Sequence, residues 1–266
     1  MYLLNKLFHY LLSFGDPRIK DWMLFNSPCL IISIIFSYLY FVLACGPRFM
    51  NNRQPYSLKK FIKYYNTFQI SMNCFIVYKL LKGGWFTTIS IYCEPVKYGT
   101  DPASMELLEA CWWTYVTKFV DLAETVIFVL RKKDRQISFL HLYHHVSTVL
   151  IAWIFGKYYA DGMGTFVPLM NCSVHIIMYT YYFLSTCGPS VRKIIHRYKF
   201  LLTITQMVQF IILICHTSQT FSPNCDMDKI PGLMMIINLL INFTLFYNFY
   251  KKNYSVGRTK QSDCKY

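Results

Sequence analysis

The chain has 266 residues, of which 55% are hydrophobic, 18% aromatic and 15% charged. Soluble domains carry about 25% charged residues, so this chain has too little polar surface for a water-soluble globule of its size. At about 20 residues per membrane-spanning helix, it has room for roughly seven or eight spans. The formal net charge of +14 would suggest a nucleic-acid partner in a soluble protein. Here the basic residues lie between apolar runs, which is typical of cytosolic loops.

Seven apolar stretches in chain order predict an all-α, polytopic membrane bundle. They cover about residues 27–45, 65–81, 110–130, 137–159, 165–184, 200–220 and 231–250. Residues 1–23 are predicted to form a segment at the membrane interface, and residues 252–266 a basic cytosolic tail. Without an internal repeat, residues 1–266 are expected to form one domain.

The loop charges predict how the bundle sits in the membrane. The loops after the first, third and fifth spans, and the tail, are basic, whereas the other loops are acidic or nearly neutral. Because positive loops stay cytosolic, the N-terminus is expected outside the cytosol and the C-terminus inside it. The ten cysteines include no CxxC pair, which argues against a metal site built on sulfur.

Three histidines open the fourth span: His141, His144 and His145. Spacings of three and four residues place their imidazoles on one face of a helix. A single histidine there could simply bond lipid or backbone at the interface. Three on one face are costly to desolvate and indicate a function.

The third span carries Lys118, Asp121 and Glu124 at hydrocarbon depth. Unpaired charges are expensive there, so these side chains should face the bundle interior and pair with one another or with the histidines. A purely structural ion network that fixes the rotation of the helix is an alternative, and it is compatible with a functional role.

Two further helices offer polar faces that could line the same cavity. The fifth span places Asn171, His175, Tyr179 and Tyr182 on one face, and the sixth contains Gln206 and Gln209. Tyrosines can be ordinary core residues, and glutamines in membrane helices often hydrogen-bond neighbouring helices. Both structural alternatives therefore stay open.

Taken together, these segments resemble the very-long-chain fatty acid elongases, the membrane condensing enzymes of the endoplasmic reticulum. The similarity covers nearly the whole chain in order. It rests on residues 118–125 (KFVDLAET), 129–133 (VLRKK), 141–145 (HLYHH), 171–182 (NCSVHIIMYTYY) and 203–210 (TITQMVQF). The combination of motifs is specific to that family, although HxxHH alone is not.

The resemblance implies seven helices, six of them around an acyl tunnel, in the membrane of the endoplasmic reticulum with a lumenal N-terminus. It implies condensation of a long-chain acyl-CoA with malonyl-CoA to 3-ketoacyl-CoA, carbon dioxide and CoA. By analogy His144 is the nucleophile, His141 and His145 orient it or move protons, and His175 faces the reacting carbonyl. Other enzymes of the elongation cycle are expected partners. The resemblance is also compatible with a homo-oligomer.

The basic run Arg131, Lys132 and Lys133 lies at the predicted cytosolic end of the third span. Such side chains could hold the phosphates of CoA while the acyl chain descends between the helices. Lys118, Asp121, Glu124 and the polar residues of the fifth and sixth spans would contact substrate within the bundle. No metal or other cofactor is expected.

Two other functions compete with condensation. A membrane di-iron desaturase or hydroxylase also uses HxxHH, but such sites need about eight histidine ligands by ligand counting, and the chain has seven histidines. A seven-span receptor or transporter would explain the topology but not the charged third span beside three histidines.

A disulfide between Cys93 and Cys225 is expected. The charge alternation places both residues in loops on the side away from the cytosol, which is oxidising in the endoplasmic reticulum. Similar elongases carry cysteines in corresponding loops. Two unrelated loop thiols are the alternative, because connectivity cannot be deduced from sequence. A bond requires Cα atoms about 4.4 to 6.8 Å apart.

Overall fold

The computed structural model describes residues 15–25 and 27–255, and these are organised by α-helices without β-strands. We number the helices α1 to α8. Their bounds are α1 Pro28–Met50, α2 Lys59–Lys82, α3 Pro102–Leu130, α4 Phe139–Tyr158, α5 Phe166–Leu184, α6 Pro189–His196, α7 Lys199–Ser218 and α8 Lys229–Tyr250. The all-α prediction is confirmed. Residues 1–14 of the predicted interfacial segment and 256–266 of the tail lie outside the described residues.

Each predicted span corresponds to one helix. Within the part of the chain that the structure describes, four helical segments are long and apolar enough to cross a membrane: Pro28–Met50, Phe139–Tyr158, Lys199–Phe221 and Lys229–Tyr254. The chain is therefore a multi-pass membrane protein. The remaining long helices, α2, α3 and α5, carry most of the polar residues singled out above. Their role as spans, and hence the total of seven, stays a prediction.

Helix α3 begins at Pro102, eight residues before the predicted span. Asp101 caps it, since its carboxylate accepts the backbone N–H groups of Ala103 and Ser104 at 3.1 Å, and proline is favoured at the first helical position. Hydrogen bonds from the Ser104 side chain, and then from its backbone, hold the pKa of Asp101 below its usual value. The cap thus lets α3 begin before its apolar part.

The described chain divides into two compact units. Of the described residues, the first comprises those up to Leu58, Tyr78–Ser90 and Glu94–Thr165, and the second comprises Lys59–Val77, Ile91–Cys93 and those from Phe166 onwards. The first therefore holds α1, α3 and α4, and the second holds most of α2 with α5 to α8. The expectation of one domain over residues 1–266 stays a prediction.

In the first unit, α3 packs against α4 and against the last turn of α1. Gly46 permits the approach of α1, because a Cβ atom there would lie 2.6 Å from Cγ1 of Val129. Phe25 stacks on Tyr115 of α3 with ring centroids 5.1 Å apart. Both rings are almost fully buried, and burial of large aromatic side chains contributes strongly to packing. These contacts fix α3 beside α4.

In the second unit, α7 packs against both α5 and α8. Phe166 of α5 contacts His216 of α7 with ring centroids 4.2 Å apart. On the other side, Phe210 of α7 meets Phe246 of α8 edge-on at 5.3 Å. Aromatic pairs thus join α7 to each neighbour.

Cys93 and Cys225 form a disulfide within the second unit, with Cα atoms 5.8 Å apart. This separation lies inside the range set by the sequence analysis. The bond joins the segment Ile91–Cys93 to the loop before α8, across 132 residues of sequence. Nearby, the side chain of Gln219 donates a hydrogen bond to the Ile91 carbonyl at 3.0 Å. The short segment is therefore tied to the second unit twice.

Loss of this disulfide should lower stability. A cross-link over so long a loop restricts the unfolded chain and typically contributes about 2–4 kcal/mol. We expect Cys93→Ser with Cys225→Ser to lower the melting temperature of the purified protein in detergent. Cys187→Ser, at an exposed free cysteine, is the control. An unchanged melting temperature in the double variant would contradict the expectation.

Candidate active site

The histidine face lies in the first two turns of α4. Ser138 caps this helix, since its hydroxyl accepts the backbone N–H of His141 at 3.3 Å. His145 is buried, whereas His141 and His144 are half-buried. The ring centroids of His141 and His145 are 4.2 Å apart, and those of His144 and His145 are 5.8 Å apart. The three imidazoles therefore form one cluster, as their spacing predicts.

Lys118 and Asp121 of α3 are buried and paired as expected. Nζ of Lys118 donates to the Asp121 carboxylate at 3.0 Å, and each side chain is 5% exposed. One helical turn separates the two residues, so the pair forms along a single helix. It neutralises two charges inside an apolar unit, which favours the buried position of this face of α3.

Glu124 extends the histidine cluster from α4 to α3. Its Oε2 lies 3.8 Å from Nε2 of His145. One ligand atom each from Glu124, His141 and His145 lie within 4.8 Å of one another. Within residues 15–25 and 27–255, this is the one group of three or more such side chains with the spacing to hold a metal ion. The donors are two imidazoles and a carboxylate.

Thr125 and Tyr38 complete the site and were missed as site residues by sequence reasoning. The Thr125 hydroxyl is fully buried and lies 2.8 Å from Nε2 of His141. It also lies 2.8 Å from the hydroxyl of Tyr38 in α1. This chain of hydrogen bonds joins three helices and orients the His141 ring. Thr125 stands in the KFVDLAET motif, but nothing local to Tyr38 marked it.

The polar face predicted for α5 lies in the second unit. His175 is buried and contacts Tyr179 with ring centroids 5.6 Å apart, and Tyr179 contacts Tyr182 at 6.0 Å. Tyr65 of α2 meets Tyr179 edge-on at 6.0 Å. Asn171 is half-buried on the same helix. The structure thus brings three of the predicted residues of α5 into one aromatic and imidazole cluster.

Helix α2 supplies polar residues to this unit that the sequence analysis did not place in a site. These residues are three buried amides at helical spacing: Asn66, Gln69 and Asn73. The Gln69 side chain donates to the Tyr65 hydroxyl at 3.0 Å, and the Asn73 side chain donates to the backbone carbonyl of Gln69 at 2.8 Å. Their spacing of three and four residues was the signal that could have identified this face.

The two glutamines of α7 occupy different environments. Gln206 is half-buried, and its amide lies 3.6 Å from the sulfur of Met178 in α5. Gln209 is 4% exposed. The contact of Gln206 with α5 fits the structural alternative, a polar contact between neighbouring helices, at least as well as a substrate role.

The basic run follows α3 directly. Arg131 is half-buried, while Lys132 and Lys133 are exposed. Nζ of Lys132 donates to the Asn51 carbonyl at 3.2 Å. Lys132 also lines an open cavity of about 420 Å³ beside the end of α1. The run therefore presents cationic side chains at the same end of α3 and α4 as the histidines.

Breaking the Lys118–Asp121 pair should be strongly destabilising. Lys118→Met leaves a buried carboxylate without its cation, a loss of about 3–5 kcal/mol. Adding Asp121→Leu should restore much of that loss, because no uncompensated charge remains. Lys193→Met, at an exposed lysine of α6, should change stability by less than about 0.5 kcal/mol. Thermal unfolding in detergent compares all of them; equal melting temperatures would contradict the assigned pair.

Comparison with known proteins agrees with the resemblance stated above. A model described as "ELO: GNS1/SUR4 family" matches residues 23–262. The chain is 38% identical to very long chain fatty acid elongase 1 of Mus musculus over 95% of this chain and 91% of the mouse protein. It is 37% identical to very long chain fatty acid elongase 7 of Rattus norvegicus over 92% of this chain and 87% of the rat protein. The chain therefore belongs to the ELO family.

Proposed function

We propose that this protein condenses a long-chain acyl-CoA with malonyl-CoA, giving 3-ketoacyl-CoA, carbon dioxide and CoA. The observation that carries the proposal is the histidine cluster of α4, held against Glu124 and Thr125 of α3 in a multi-pass membrane protein. The relatives named above are fatty acid elongases, and such a condensation begins each round of elongation. The membrane location follows from the apolar helices, and we assign it to the endoplasmic reticulum with a cytosolic C-terminus.

His144 is the proposed nucleophile. Its imidazole attacks the acyl thioester, the carbon–sulfur bond breaks, and CoA leaves as a thiol after taking a proton. Thr125 engages His141, and Glu124 lies beside His145. These fixed partners suit His141 and His145 for orienting His144 and for moving the proton between the acyl and malonyl steps.

Malonyl-CoA then supplies the second nucleophile, which is a carbon atom. Loss of carbon dioxide leaves its electron pair on the α-carbon as an enolate. The enolate attacks the acyl-imidazole, forms the new carbon–carbon bond and returns His144 with its lone pair. Over the whole reaction one proton is taken up, and one carbon dioxide and one CoA are released. His175, on α5, is proposed by resemblance as a further catalytic histidine.

The buried position of the cluster supports this chemistry. An acyl-imidazole hydrolyses readily, so the intermediate needs an environment that excludes water. His145 is 6% exposed and Thr125 is fully buried, and α4 itself is apolar enough to span a membrane. The apolar helices also provide surroundings in which a long acyl chain is favourably buried.

Arg131, Lys132 and Lys133 are proposed to bind the phosphates of CoA. Two of the three are exposed, as a phosphate-binding surface requires, and flexible lysines bind phosphates as point charges. No metal or other cofactor takes part in the proposed steps. Partners in the proposal are the two CoA substrates, the bilayer and further enzymes of the elongation cycle.

The assignment of His144 can be tested by trapping the intermediate. With acyl-CoA alone, the purified protein should release one equivalent of CoA and retain the acyl group. His144→Ala should retain none and should lower turnover by at least about 1,000-fold, as loss of a nucleophile does. His175→Ala should also be severely impaired.

His196→Ala, at an exposed histidine of α6, is the control. All variants must reach the membrane at equal levels with the Cys93–Cys225 bond intact. Acyl transfer to the His144→Ala protein would remove His144 as nucleophile. Absence of condensation by the unaltered protein, across a panel of acyl-CoA lengths, would overturn the proposed function.

Charge reversal in the basic run should weaken binding of both CoA substrates. For Lys132→Glu with Lys133→Glu we expect KM to rise at least about tenfold at low salt, and by less at high salt because of screening. Lys251→Glu with Lys252→Glu changes the net charge equally at exposed residues beyond α8, and it should leave KM unchanged. If both double variants kept the KM values of the unaltered protein, the basic run would determine only the membrane topology and would not bind CoA.

A further inference from the structure

We propose that Glu124, His141 and His145 form a binding site for a divalent transition-metal ion of the zinc class, and that occupancy of this site stops the condensation. The binding half of the proposal rests on geometry alone. The inhibitory half rests on the proposed function.

The ligand set suits zinc. Two neutral imidazoles and one carboxylate are ligands that zinc enzymes use, and three protein ligands leave one position of a tetrahedral ion for water. His141 and His145 lie on one helix at the i, i+4 spacing, which places two imidazoles on one face as in zinc-binding helices. Their ring centroids are already 4.2 Å apart.

The distances between the donors are close to those of a formed site. With bonds of about 2.0–2.1 Å, tetrahedral ligand atoms lie roughly 3.4 Å apart. Oε2 of Glu124 and Nε2 of His145 are 3.8 Å apart, and all three ligand atoms fall within 4.8 Å. Small side-chain rotations therefore complete the site without movement of α3 or α4.

The surroundings also favour a cation at this position. The Asp121 carboxylate is engaged by Lys118 at 3.0 Å, and Glu124 is the carboxylate that lies beside the imidazoles. Thr125 hydrogen-bonds the His141 ring at 2.8 Å, and such partners orient histidine ligands and raise metal affinity. Burial strengthens the attraction between the carboxylate and the ion.

A bound ion is incompatible with the proposed catalytic roles. It occupies the lone pairs that His141 and His145 need for proton transfer. It also fixes both rings and places positive charge beside His144, which weakens that imidazole as a nucleophile. The inference is therefore reversible inhibition by a metal ion in an enzyme whose reaction requires none.

Binding can be measured with Co²⁺, whose visible absorption reports tetrahedral nitrogen and oxygen ligands. The full-length protein in detergent should show saturable absorption that Zn²⁺ abolishes. Glu124→Gln keeps the size of the side chain but loses the charged donor. It should weaken Co²⁺ binding at least about 100-fold, since even outer partners of a ligand contribute 10- to 100-fold. His196→Gln is the matched control and should bind like the unaltered protein.

Seven cysteines of the described chain are free, and metal bound to them would give thiolate charge-transfer bands in the near ultraviolet. Such bands in place of the visible signal would overturn the site. Equal Co²⁺ affinity of Glu124→Gln and the unaltered protein would overturn it as well, as would no binding at all. These readouts need no enzyme activity, so they test the site even if the proposed function fails.

The inhibitory half is tested with the condensation assay. Protein treated with a strong chelator should keep its full rate, Zn²⁺ should abolish it, and further chelator should restore it. If the site were saturated with Co²⁺ or Zn²⁺ and the condensation rate were unchanged, the proposed inhibition would be overturned. Loss of activity on chelation, restored by metal, would overturn both the inhibition and the metal-free mechanism.

Discussion

A charged or strongly polar side chain buried among apolar helices must find a partner, and this constraint organises the first unit. Lys118 bonds Asp121, and Arg18 pairs with Asp16 and reaches Asp161 at 3.6 Å. Lys157, in α4, donates to the Phe25 carbonyl at 2.7 Å. An unpartnered charge would cost several kcal/mol at each of these positions. Lys157 thereby ties α4 to the segment before α1, and the Lys118–Asp121 pair allows one face of α3 to stay buried.

The need to pair buried polar groups also explains why the polar side chains are concentrated on particular helices. The segments that are apolar enough to span a membrane by composition contain α1, α4, α7 and α8. Helices α2, α3 and α5 carry the buried amides, the ion pair and His175 instead. Their lower hydropathy follows from these side chains, which are stable there because other protein groups, and not lipid, surround them. In α4, an apolar helix carries its histidines only in the first two turns.

Preorganisation suits the histidine cluster to both of the roles proposed for it, catalysis and metal binding. A hydrogen bond with Thr125 orients the ring of His141, and His145 is buried beside Glu124. Fixed donors in an environment of low dielectric constant favour proton transfer, because little reorganisation is needed. They favour metal binding for the same reason. In the proposed mechanism the cluster therefore acts as an organic catalyst only while it is free of competing ions.

The helices and the contacts one turn apart within them follow from the sequence, whereas the pairing of Cys93 with Cys225 was an expectation that the structure decided, against the alternative of two unrelated loop thiols. The Lys118–Asp121 pair and the His141–His145 contact follow from the 3.6-residue period, which fixes what lies one turn away. Only the tertiary structure placed Glu124 beside His145 and linked Tyr38 through Thr125 to His141. It also showed that α3 starts at Pro102, with Asp101 as its cap. Contacts between helices depend on their relative rotation and height, which arise from the packing of all neighbours together and are not encoded in the period of any one helix.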